Sequence, residues 1–203
     1  MASLEELVGV DDPAWPHVEQ SIRESPRSVE VLPVSARGEA LLALGVTVRS
    51  VLGALAWHTG GLLLDSGWLR VLGGGSERLP ALTPEPGMLV VAYDVLGGRF
   101  AVDGGAFGAP GTVHYFAPDS LEWESLEVGH GAFVDWALTG DVASFYEHLR
   151  WPGWEAEVAP LPPDTGLSLY PPPFSAEGKD VAAVSRRPVP MAELVAFYGG
   201  AAG

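Results

Sequence analysis

Met88-Leu-Val-Val-Ala-Tyr-Asp-Val-Leu-Gly-Gly-Arg-Phe-Ala-Val-Asp-Gly-Gly105, followed by Thr112-Val-His-Tyr-Phe-Ala-Pro-Asp-Ser-Leu-Glu-Trp-Glu-Ser-Leu126, is the stretch that decides the fold. Short apolar runs are punctuated by Gly-Gly, Asp-Gly-Gly and Pro-Asp, which is how an antiparallel meander is written. The pattern predicts strands over 88–95, 99–102, 112–116 and 121–126. Gly97 and Gly98 tolerate positive φ and so can close the first hairpin without strain.

Upstream, Ser3 with Glu6 forms a capping-box pattern, and Trp15, Val18 and Ile22 recur at helical spacing over 13–24. A short extended piece is expected over 29–33, then a helix capped by Ser35 and stopped by Gly45. From Val46 the period changes. Leu52–His58, 62–65 and 68–72 read as a second meander of three strands. Downstream, Phe133, Trp136 and Ala137 share a helical face and Asp141 caps a second helix, giving a helical pair over 127–150. Beyond it lie Tyr170-Pro-Pro-Pro-Phe174, polyproline-like, and a last short helix over 191–198.

The expectation is an α+β fold: a bent antiparallel β-sheet over 46–126, a helical segment over 1–45, and a proline-rich segment over 151–203. All 203 residues are read as one domain, since the length suffices for one full core and no repeat or composition shift cuts the chain. The chain lacks Asn and has one Ile and one Lys, the mark of a GC-rich genome, which inflates its 26 Gly and 18 Pro as turn signals.

Charge excludes one class of partner. Twenty-six acidic residues against 11 basic ones leave a formal charge of −15, which repels a phosphate backbone, so no nucleic acid is expected. There is no cysteine, hence no thiolate nucleophile or thiolate metal site. The amino terminus lacks a basic, then apolar, leader and no run is long enough to span a bilayer, so a cytoplasmic chain with no membrane association is expected.

Several clusters invite chemistry. Gly73-Gly-Gly-Ser76 lacks the Gly-Lys-Ser/Thr of a phosphate loop, and Gly97-Gly98 and Gly104-Gly105 lead into strands rather than helices, so hairpin turns explain them better. His58, His114, Asp94 and Asp103 sit near strand ends. Were they to converge, a hydrolase or a metal-dependent enzyme would be possible, but no ligand spacing forces the meeting. Glu122 and Glu124 flank Trp123, the pattern of a solvated strand face over a buried indole as well as of paired carboxylates. Trp151, Trp154 and Tyr170 are left over after the core positions are filled. They suit either a protein partner, a sugar or other small ligand, or a tail folded over the core.

The runs His58-Thr-Gly-Gly-Leu-Leu-Leu-Asp-Ser-Gly-Trp68, Asp94-Val-Leu-Gly-Gly-Arg-Phe-Ala101, Tyr115-Phe-Ala-Pro-Asp-Ser-Leu-Glu-Trp123, Phe133-Val-Asp-Trp-Ala-Leu-Thr-Gly-Asp141 and Leu149-Arg-Trp-Pro-Gly-Trp154 together resemble a bacterial family of uncharacterised proteins. More loosely, Asp94–Phe100, Val113–Trp123 and Phe133–Leu138 are similar to the core of the SUKH superfamily. That resemblance implies an α+β domain acting as an immunity-type protein, which binds and neutralises a toxin without catalysis. It carries Asp94, Gly97 and Gly98 forward as candidate binding residues beside Trp151, Trp154 and Tyr170. The implied partner is a protein, a basic toxin domain, with no cofactor and no metal. The proline-rich segment beyond Trp154 departs from that superfamily's pattern.

Overall fold

The computed structural model describes residues 2–201. It is a mixed α+β fold built on a seven-stranded sheet, in which every neighbour is antiparallel and the strands follow one another in chain order. The strands are β1 (Val29–Leu32), β2 (Gly61–Leu64), β3 (Leu69–Leu72), β4 (Met88–Asp94), β5 (Arg99–Asp103), β6 (Thr112–Phe116) and β7 (Trp123–Gly129). Such a meander needs only short connections, and the glycine-marked turns of the sequence supply most of them. Register shifts between Val90 and Ala92, and between Thr112 and His114, mark bulges that kink and twist the sheet.

Register sorts the side chains into two faces. One cross-strand row runs Val71, Ala92, Phe100, Tyr115. Helices α1 (Leu4–Val8), α2 (Trp15–Glu24), α3 (Glu39–Leu44), α4 (Val51–His58) and α5 (His130–Thr139) gather on that side. There Phe100 packs on Phe133 of α5 at 4.8 Å between ring centroids. The opposite row runs Arg70, Tyr93, Arg99, Phe116, Trp123. Helix α6 (Val142–Phe145) stays with the first face, where Phe145 packs on Phe100 and Tyr115. A 3-10 turn and α7 (Trp154–Val158) then lead into a separate hairpin of β8 (Thr165–Tyr170) with β9 (Ser185–Pro190), and this hairpin and α8 (Met191–Ala201) cover the opposite row. Val189, Met191, Leu194 and Tyr198 form a second apolar cluster with Phe116, against which Tyr93 and Trp123 pack. The Leu167 N–H donates to Val95 O at 2.7 Å and pins this C-terminal unit to the end of β4.

Several expectations need correction. Residues 52–58 are helical rather than a strand. The Ser50 hydroxyl accepts from the Gly53 N–H at 3.0 Å, and the run is apolar all round with Gly53 to Ala56 buried, so it carries no period that distinguishes helix from strand. Helix α3 starts at Glu39, behind Gly38 at φ +94°, rather than at a Ser35 cap. The extended piece at 29–32 joins the sheet as its first strand. The fourth strand of the central stretch lies at 123–129 rather than 121–126. Least expected is the proline-rich segment, which is mostly regular. Pro188 and Pro190 lie in β9, tolerated because that strand has a partner on one side only.

Candidate functional site

Asp94, Gly97 and Gly98 form one turn. Asp94 Oδ1 accepts from the N–H groups of Leu96 and Gly98, each at 2.9 Å, and Oδ2 accepts from the Tyr115 hydroxyl at 2.7 Å. Gly97 sits at φ +89°, and a Cβ at Gly98 would overlap Asp94 Oδ2. Burial pushes the Asp94 carboxyl up, against the pull of those three donors and of Arg70. The Asp94 carboxylate is engaged by its own turn and by Tyr115 of β6.

Trp151 and Trp154 are core residues, 3% and 8% exposed. Both flank the fully buried Trp68, at 5.8 and 5.0 Å between centroids, and the Arg150 guanidinium lies 4.1 Å from the Trp154 ring and 4.7 Å from Trp68. The Trp151 Nε1–H donates to Glu157 Oε1 at 2.8 Å. Tyr170 stands apart at the end of β8, 76% exposed. These three rings therefore do not line a common slot for a sugar.

The histidines do not meet either. His58 ends α4, not a strand, and stacks on Trp15 at 4.5 Å, whereas His114 on β6 stacks on Phe107 at 4.5 Å. Asp103 accepts from the backbone N–H groups of Gly105, Phe107 and Ala109, shaping the loop after β5. Among the described residues no three His, Asp or Glu side chains are grouped to hold a metal ion. The His58, His114 and Asp94 constellation is thus not assembled.

What the structure does assemble was not among the nominated residues. A cleft of about 550 Å³ lies between β3–β4 and the C-terminal unit. Arg70 and Tyr93, cross-strand neighbours on one sheet face, form its floor. Met191, Val195 and Ala196 of α8 make one wall, and Leu79 and Pro80 the other. Arg78 and Asp164 stand at the cleft as a bidentate ion pair, with Nε to Oδ2 at 3.0 Å and Nη2 to Oδ1 at 2.8 Å. Arg70 is the unusual member. It is 1% exposed, and its Nε and Nη1 have no hydrogen-bond partner among the described residues. Burial pulls its guanidinium down to about 10, while the charges of Asp94 and Asp164 hold it up. The Tyr93 hydroxyl is pushed up by burial and by Glu85, so it remains a hydrogen-bond donor at neutral pH. One sequence signal pointed here: Arg70 is the single charge inside the apolar strand Leu69-Arg70-Val71-Leu72, where an unpaired cation needs a reason.

The chain matches the family described as "Protein of unknown function DUF2625" over residues 4–194, and it belongs to that family. It is 42% identical over 183 residues to the putative uncharacterized protein YbfG of Escherichia coli, covering 84% of this chain and 85% of that one. It is 34% identical over 177 residues to an uncharacterized protein of Haemophilus influenzae, covering 79% and 78% of the two chains. No solved structure matches it.

Proposed function

We propose that this member of the family is a small-molecule-binding domain whose ligand is anionic and is held at Arg70 in the cleft under α8. The supporting observation is a buried guanidinium, two of whose nitrogens have no partner among the described residues, on the floor of a cleft of about 550 Å³, within the size range of small-ligand sites. A buried donor left unmade costs about 1–3 kcal/mol, and more for a charged group, so a fold keeps such a residue where something else completes its hydrogen bonds. Ligand-observed NMR with a fragment set balanced between anions, cations and neutral compounds tests it. Hits should be enriched in anions and should disappear in Arg70→Met. A hit list indifferent to charge, or unchanged by Arg70→Met, counts against the reading.

A second reading keeps the immunity-type role implied by the SUKH-like stretches. Tyr170 and Phe197, 76% and 50% exposed, line a shallow groove on the C-terminal unit, and the charge of −15 favours a basic protein partner. Affinity purification at low salt with the wild type and a Tyr170→Ser/Phe197→Ser double variant tests it. A basic partner captured by both forms alike would reject this surface. A cytoplasmic location belongs to the same proposal, and no described helix is long and apolar enough to cross a membrane.

A further inference from the structure

The cleft also limits what kind of anion it takes. Building on the small-ligand reading, we infer that its ligand is an organic monoanion: a carboxylate on a compact apolar body. The charge inventory argues for a single negative charge. Arg78 is already neutralised by both oxygens of Asp164, whereas Arg70 has two nitrogens with no hydrogen-bond partner among the described residues. Around it the field is already rich in carboxylates: Asp94 and Asp164 act on Arg70, and Glu85 acts on Tyr93. A carboxylate forms charge-assisted hydrogen bonds to one guanidinium and leaves no charge over. A phosphomonoester brings a second charge that these three acids would repel.

The donors fit the same head group. Tyr93 lies directly across the strand from Arg70, on the same face, so its hydroxyl can donate to a carboxylate seated on the guanidinium. The walls argue for the body. Leu79, Met191, Val195 and Ala196 offer carbon, and Pro80, Pro163 and Pro190 carry no N–H to donate. Polar groups in the lining are few: Arg70 and Tyr93 on the floor, Thr165, and the mutually paired Arg78 and Asp164, so a sugar or nucleoside with many hydroxyls would lose more water than these replace. An aliphatic or aromatic acid loses nothing of the kind and gains from burying its carbon surface.

Calorimetric titration of the full chain with three probes, phenylacetate, phenyl phosphate and acetate, tests the inference at a pH where phenyl phosphate is a dianion. Two variants accompany the wild type: Arg70→Met, which removes the anchor, and Ala196→Trp, which fills the cleft from an exposed helix position without touching Arg70. Phenylacetate should bind the wild type about tenfold or more tighter than either other probe. Arg70→Met should weaken it by about tenfold or more, the fold-change expected for a lost charge-assisted hydrogen bond, and Ala196→Trp should weaken it at least as much by filling the space the apolar body needs. If phenyl phosphate binds as tightly as phenylacetate and depends on Arg70, the ligand class is wrong while the cleft reading stands. If phenylacetate binds but neither substitution weakens it, the cleft reading itself falls. If no probe binds at millimolar concentration, both are rejected.

Discussion

Replacing Arg70 by methionine should make the unliganded protein more stable. Burial lowers the Arg70 guanidinium from 12.5 to about 10, a figure that already includes the attraction of Asp94 and Asp164. At about 1.4 kcal/mol for each tenfold, that fall corresponds to about 3 kcal/mol against holding the charge in the fold. Methionine keeps most of the buried stem and discards the charge. Its shorter reach leaves a small gap, for which about 1 kcal/mol is deducted. The net gain is about 2 kcal/mol, which in a chain of this length raises the midpoint of thermal unfolding by roughly 4–8 °C. Urea denaturation followed by tryptophan fluorescence, with scanning calorimetry beside it, measures both. A saturating anionic ligand should raise the wild-type midpoint by more than that of Arg70→Met. A loss of 1 kcal/mol or more in Arg70→Met, at unchanged urea slope, would mean that the guanidinium is satisfied within the fold, and the reasoning about the cleft would be refuted.

Three further outcomes follow from the same contacts. Gly98→Ala should cost about 3 kcal/mol or more, because its Cβ displaces the Asp94 carboxylate from two backbone donors and the Tyr115 hydroxyl; a urea-measured loss below about 1 kcal/mol contradicts the turn as described. Gly199→Ala should stabilise by about 0.5–1 kcal/mol, since it lies inside α8 with nothing within 4 Å of the added methyl, and a loss would show that α8 does not extend so far. Glu157 is held below its ordinary 4.5, first by its hydrogen bond from Arg186 and further by that from Trp151. A lowered carboxylate contributes stability above the unfolded value and loses it as pH falls through the folded one, so stability should decline below about pH 4.5. Glu157→Gln should flatten that decline, and an identical acid limb in both proteins would assign it to other carboxylates.

The meander was legible wherever a glycine or Pro-Asp turn interrupted an apolar run, as at Gly97-Gly98 between β4 and β5. Helix α4 was not, because a short run apolar on every side has no face to mark its period. The β8–β9 hairpin was hidden by Pro188 and Pro190, which argue against a strand unless it has a free edge. Trp151 and Trp154 read as spare aromatics because nothing local shows that Trp68, more than 80 positions upstream of both, needs covering; only the tertiary packing joins them. Arg70 stood in plain view within an apolar strand. Its importance depends on what lies opposite it, and that is a segment more than 90 residues further along the chain.

The most direct test of the Arg70 cleft is the side-chain Nε–H signal of Arg70 in a proton–nitrogen NMR spectrum, assigned by its loss in Arg70→Met and followed during titration with phenylacetate. A carboxylate seated on the guanidinium should shift that signal downfield and slow its exchange with water, in step with the binding curve. A signal that stays fixed while phenylacetate saturates the protein would place the ligand elsewhere and contradict the role assigned to Arg70.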